Sequence, residues 1–168
     1  MTRRSTPETQ SAMDCMDWDN RTQAWLYPNR PQVQPDPRLR LERLRRNFMR
    51  AAVEGPGRTR TLRVIAYTLT TPNGHPEPDH ARLRAYAEGT WDIKRAIHDE
   101  AADPNHPAPP QHRNGWLAAR LLLRQGAADG VIAISRNMIS PDDAQYEHEL
   151  AWIGDHFSFV DLLVPESL

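Results

Sequence analysis

The chain has 168 residues, a formal net charge of −1 and 39% hydrophobic residues, enough for one domain with a core and some appendage. No apolar run approaches the ~20 residues that cross a bilayer, and the opening MTRRSTPETQ has no apolar h-region, so neither a membrane span nor a secretory signal is expected. The single cysteine, Cys15, excludes an internal disulfide, and with no signal the expected compartment is the cytoplasm.

Every basic residue except Lys94 is arginine. Arginine forks onto phosphate oxygens, which suggests phosphate recognition; coding bias in a GC-rich genome is the simpler source and the preferred reading. Charge is uneven along the chain: residues 1–37 sum to −1, residues 38–63 to +7 and residues 64–168 to −7. An acidic domain, repelling nucleic acid over most of its surface, thus follows a short basic segment that any DNA contact would have to use.

Residues 1–35 are polar, proline-containing and without sustained periodicity, and are expected as a flexible or extended arm. Trp18, Trp25, Leu26 and Tyr27 interrupt that arm with a patch suited to docking on the domain or on a partner. Asp36-Pro37 then opens a helix, Asp as cap and Pro at the first helical position. Leu41, Leu44, Phe48 and Ala51/Ala52 fall on one face, the candidate interface with the domain or with a second subunit. Arginines occupy the remaining surface; Arg43, Arg45, Arg46 and Arg50 are the candidate nucleic-acid contacts. Gly55-Pro56-Gly57 ends the helix, so residues 36–61 read as a basic amphipathic helix and linker.

From 62 to 168 strands and helices alternate. Leu62–Tyr67 is short and apolar, as a buried parallel strand should be. A proline-rich loop follows; Asp79 caps a helix to about Gly89, and Trp91–His98 is a second strand. Asp103–Pro110 is loop. Gly115–Gln125 is helical, Val131–Ser135 a third strand, and a helix starting at Ser140-Pro141 runs to about His156. Phe157–Val164 is the last strand. This order predicts an α/β fold with a parallel sheet covered on both faces, and a site at the carboxyl ends of its strands.

Four stretches carry a resemblance: Tyr67-Thr68-Leu69-Thr70-Thr71 at the end of the first strand, Asp99 after the second, Arg113-Asn114-Gly115-Trp116 at a helix entry, and Ser135-Arg136-Asn137-Met138-Ile139 after the third strand. Over roughly Arg63–Glu166 the chain resembles the catalytic domain of serine recombinases, the resolvase/invertase family. The resemblance implies a three-layer domain in which a serine of Tyr-x-Arg-x-Ser attacks a DNA phosphodiester while arginines neutralise the phosphate. Here Leu69 stands for that Arg and Thr71 for the Ser. In the family's Asp-Arg-Leu-x-Arg, Ser135 replaces the Asp and Ile139 the second Arg, leaving Arg136. If strand transfer survives, its residues are Thr71, Arg136 and Asp99. Arg136 reads equally as half of a salt bridge to Asp99 or Asp161, and Arg113 and Gly115 as loop geometry at a helix start. Resolvases continue into a long helix and a helix-turn-helix; these residues end at Pro165-Glu166-Ser167-Leu168, so neither is expected.

No cofactor or metal is expected. His75, His80, His106 and His112 show no ligand spacing and read as solvated loop histidines, and the acidic run Asp14, Asp17, Asp19 lacks the Gly and Glu of a calcium loop. No glycine-rich phosphate loop is present. Three classes of function follow: a catalytically degenerate resolvase-like interaction or regulatory module with a protein partner or a second copy, possible DNA association and no membrane; an active strand-transfer enzyme using Thr71; or a nucleotide- or small-ligand-binding α/β domain. The coincident loss of catalytic residues and DNA-gripping segments favours the first.

Overall fold

A computed structural model describes residues 36–55, 60–103 and 105–167. The expectations placed on residues 1–35, including the aromatic patch and Cys15, and on Pro56-Gly57 lie outside the described residues. Helix α1 (Pro37–Val53) precedes β1 (Arg63–Thr70), α2 (Glu77–Ala87), β2 (Asp92–Glu100), α3 (Asn114–Arg124), β3 (Gly130–Ala133), α4 (Asp143–Asp155) and β4 (Phe159–Leu162). The four strands form one sheet in the order β2-β1-β3-β4, every pair parallel. The central strands are buried along almost their whole length, as apolar runs without alternation require. One layer holds α3 and α4, whose Trp116, Leu123, Tyr146 and Leu150 meet Ile65, Tyr67, Val131 and Val160. The opposite layer holds α2, whose Leu83 and Ala87 meet Val64, Ala66 and Ile132.

The third surface to be covered is the β4 edge, and α1 covers it. Asp36 Oδ1 accepts the Arg38 N–H at 2.9 Å and Pro37 sits at the first helical position, so the helix starts where its caps dictate. Leu41 is buried in the α3/α4 core with Leu44 and Phe48 packed against it, while Ala52 and Met49 reach the opposite core. The apolar stripe of Leu41, Leu44 and Phe48 therefore faces its own domain, one of the two partners expected for it. Phe48 lies so close to Gly154 of α4 that a Cβ there would overlap its ring, which is why the two helices meet at a glycine.

Some boundaries shift for local reasons. Helix α2 begins at Glu77, with Pro78 in its first turn, so Asp79 is a helical residue paired with Arg82 at 3.7 Å and not the cap. The last strand starts at Phe159 and not Phe157, because Phe157 takes a positive φ of 54° and closes α4. His80 is not a solvated loop residue: it is buried on α2, its Nε2 3.1 Å from Thr68 Oγ1 and 3.3 Å from the Ile97 carbonyl.

At the amino end of the sheet Asp129 joins β3 to β1. Its carboxylate accepts the Arg63 N–H at 2.8 Å and two Arg60 N–H bonds at 2.7 and 2.8 Å, with the Arg63 guanidinium at 3.3 Å. Burial alone raises the carboxyl's pKa, but the two guanidiniums outweigh it and hold it well below the ordinary carboxylate range. A depressed folded-state pKa contributes stability that is present above the unfolded value and lost as pH falls toward the folded one. Asp129→Asn is thus expected to lower the thermal midpoint at pH 7 and to flatten the loss of stability between about pH 4 and pH 2; thermal melts of both proteins across that range check it.

Candidate functional site

The carboxyl ends of β1, β2 and β3 bring together most of the residues singled out from the sequence, and Asp99 is their common partner. Its Oδ1 accepts the Gly115 N–H at 2.7 Å; its Oδ2 accepts the Trp116 N–H at 2.8 Å and the Tyr67 hydroxyl at 2.8 Å. Helix α3 has no side-chain cap of its own, so a carboxylate from a neighbouring strand satisfies its first free N–H groups and meets the positive end of its dipole. Gly115 is required for this approach: a Cβ there would lie 2.8 Å from both Asp99 Oδ2 and the His98 carbonyl oxygen.

Tyr67 is fully buried and stands edge-on to Trp116, ring centroids 5.0 Å apart. Burial pushes its hydroxyl pKa far above the ordinary value, with Asp99 adding to the shift and Arg113 opposing it. Arg113, read from the sequence as loop geometry, is buried too. It donates Nη1 to the Tyr67 hydroxyl at 3.0 Å and to the Met138 carbonyl at 2.8 Å, and Nη2 to the Ile139 carbonyl. Its Nε is buried without a hydrogen-bond partner. The guanidinium thus ties the β1–β2–α3 junction to the loop behind β3 and faces inward. An arginine beside a glycine at a helix entry, with an acid at the preceding strand end, was the available signal for this role.

Arg136 is likewise turned onto its own loop. It donates to the Pro141 carbonyl, pairs with Asp143 and lies 5.3 Å from the Tyr146 ring centroid, with Nε buried and unpartnered. Its acidic partner is Asp143, correcting the expectation of Asp99 or Asp161. Thr71 is exposed; its carbonyl accepts the Gly74 N–H at 2.7 Å, and Asn73 takes φ 68°, so Thr71-Pro72-Asn73-Gly74 is a tight turn. The Thr71 hydroxyl makes no hydrogen bond to any described residue, and a hydroxyl nucleophile needs a base or a cation beside it.

Of the basic residues on α1, Arg43, Arg46 and Arg50 are exposed, with Arg46 paired to Glu42 at 2.5 Å. Arg45 is not, and its reading as a nucleic-acid contact is corrected. It donates Nε to Glu166 at 2.8 Å and Nη1 to Asp161 at 3.3 Å, with its side chain 4% exposed. Asp161 also accepts the Tyr86 hydroxyl at 2.8 Å and the Trp91 indole N–H at 3.3 Å, and Glu166 accepts the Tyr146 hydroxyl at 2.7 Å. Burial lowers the Arg45 pKa, but Glu166 and Asp161 outweigh it and raise it; burial and then Asp161 push Tyr86 up to about 12. Among the described residues no group of three or more His, Cys, Asp or Glu is placed to hold a metal, and no helix is long and apolar enough to cross a membrane.

No protein-family profile and no curated protein matches the chain. Solved structures do. The C-terminal catalytic domain of ISC1926 TnpA, an IS607-like serine recombinase, aligns with a TM-score of 0.52 at 14% identity, over 61% of this chain and 70% of that one. The N-terminal catalytic domain of TP901-1 integrase aligns with a TM-score of 0.52 at 16% identity, over 60% of this chain and 76% of that one. At these identities the likeness is one of fold: the chain has the α/β fold of serine-recombinase catalytic domains, as its sequence resemblance implied.

Two substitutions separate structural from exposed roles. Asp99→Ala removes the acceptor of three donors and is expected to cost about 2–4 kcal/mol in urea unfolding, whereas Thr71→Ala stays within about 0.5 kcal/mol. Arg45→Ala leaves two buried carboxylates without their cation and is expected to cost about 3–5 kcal/mol, against about 0.5 kcal/mol or less for Arg50→Ala; the same denaturation curves check both pairs.

Proposed function

We propose that this protein is a catalytically degenerate resolvase-fold module, regulatory or protein-binding in role, with any DNA association carried by Arg43, Arg46 and Arg50. The observation that carries this reading is the state of the guanidiniums at the strand ends. Strand transfer places little covalent work on the protein and relies on cations aimed at the phosphoryl oxygens. Leu69 supplies none, Ile139 supplies none, and both Arg113 and Arg136 are bound to carbonyls, a hydroxyl or a carboxylate of their own domain. Each absent charge-assisted contact removes about 1.5–3 kcal/mol of stabilisation from a phosphoryl transition state. The surrounding domain adds repulsion, since residues 64–168 carry a net charge of −7. Asp99 holds a helix start, a use that needs no substrate.

The test is a cleavage assay on supercoiled plasmid, stopped with detergent and resolved for protein–DNA adducts. The expected outcome is no adduct from the natural chain and none from Thr71→Ser, because restoring the better nucleophile restores no cation. A covalent adduct that the natural chain forms and Thr71→Ala abolishes would overturn the reading.

A further inference from the structure

Helix α3 is apolar on two sides. Trp116, Ala119 and Leu123 face the core as one stripe at helical spacing. Leu117 and Leu121, four residues apart, make a second stripe that belongs to neither core and stays 42% and 43% exposed. An outer-layer helix needs a single apolar stripe to hold its place on a sheet. Scattered exposed leucines need no explanation, but two in register beside a hollow do.

That hollow, about 460 Å³, lies between α3 and α4; Leu117, Arg120, Leu121 and Arg124 line it from α3, Trp152 and His156 from α4 and its cap. Part of its wall is fixed by the domain itself. Arg120 Cζ lies 4.0 Å from the Trp152 ring centroid, and Arg120 Nη1 is 3.3 Å from the buried Glu149. The His156 ring stacks on Trp152 at 3.9 Å, with Nδ1 2.7 Å from the Trp152 carbonyl oxygen. Arg124 differs: it is exposed and has no hydrogen bond or ion pair to any described residue. The two charged side chains lining the hollow are therefore both arginines, although residues 64–168 sum to −7. Glu149 answers Arg120, and no described residue answers Arg124.

We propose that this groove receives an acidic amphipathic helix of a partner protein, its apolar side chains on Leu117 and Leu121 and a carboxylate on Arg124. Charge complementarity selects the sign, because a carboxylate supplies the partner that Arg124 lacks. The form follows from the spacing: leucines and arginines each repeat every four residues along α3, and a groove between two helices accepts the ridge of a third. A small molecule fits less well, since exposed leucines on the rim leave the hollow open where ligand pockets enclose. A DNA backbone fits less well too, since it would meet a single unpaired guanidinium flanked by leucines on an acidic domain. The proposal rests on reading the chain as a protein-binding module and assigns that role a surface and a partner.

The probe is a fluorescein-labelled peptide of about 16 residues, made of Leu, Ala and Glu with leucines along one helical face. Its anisotropy is followed as the full chain is added to about 500 µM. Saturable binding is expected, weakened by salt and at least about tenfold weaker when lysines replace the glutamates. Arg124→Glu is expected to reverse that preference, and Leu121→Ser to abolish binding of both peptides. Both positions are exposed, so both variants should melt with the natural chain, which separates loss of contact from loss of fold. Absence of saturable binding, equal binding of the two peptides, or binding that neither variant alters overturns the proposal. A labelled DNA duplex that binds the natural chain and is released by Arg124→Glu would assign the face to nucleic acid and overturn it as well. None of these results touches the non-catalytic reading, which a covalent DNA adduct removes.

Discussion

The carboxylate of Asp99 is the point on which the carboxyl end of the sheet depends. Three donors from two elements converge on it, and the groups around it, Tyr67, Gly115, Trp116 and Arg113, are placed by that convergence. Asp99 is half-buried, and an acceptor with three well-aligned donors fixes one arrangement of the strand ends. The Asp99 carboxylate, accepting two backbone N–H groups and a hydroxyl, and the Arg113 guanidinium, donating its Nη groups to that hydroxyl and to two carbonyls, act as internal ties of the fold.

A second tie of the same kind holds α1. Arg45 crosses from the helix to Asp161 on β4 and to Glu166 beyond it; Tyr86 and Trp91 also donate to Asp161, and Tyr146 to Glu166 Oε1, while Glu166 Oε2 is buried without a hydrogen-bond partner. Edge strands invite pairing with other chains and are commonly covered; here an amphipathic helix lies over the edge and an ion pair fixes its position. Buried pairs of this kind add specificity more dependably than stability, because desolvation of both partners offsets much of their attraction.

The fold was legible in the sequence because strand and helix signals alternated with clear punctuation: Asp36-Pro37 opened α1, Gly126 followed α3, and the apolar stretch at Val131 marked a central strand. Its failures were of two physical kinds. Where a residue's conformation overrode its propensity, boundaries moved, as at Phe157, whose aromatic character argues for strand while its backbone closes a helix. Where a side chain's fate depended on distant partners, chemistry was misread. Arg45 is four residues from Leu41 and three from Phe48, a spacing compatible with the buried face, yet its charge grouped it with the surface arginines; only the acids more than a hundred residues away make burial tolerable. Arg113 was underestimated for the same reason. Local pattern records how a segment can be built, and does not record which opposite charge the topology will bring to it.

The position of α1 over β4 also bears on the order of assembly. This helix is made first among the described elements, and the strand it covers is made last; Arg45 and Glu166 are separated by 121 positions. During synthesis the amphipathic face of α1 lacks most of its docking surface until α4 and β4 have been added, and loop-closure entropy sets a further delay because the ends of a long segment must meet. Closure of the sheet edge is therefore a late event. Until it occurs, the nascent domain carries an open strand edge and an unpaired apolar helix at once, the two features that most expose a folding chain to pairing with its neighbours.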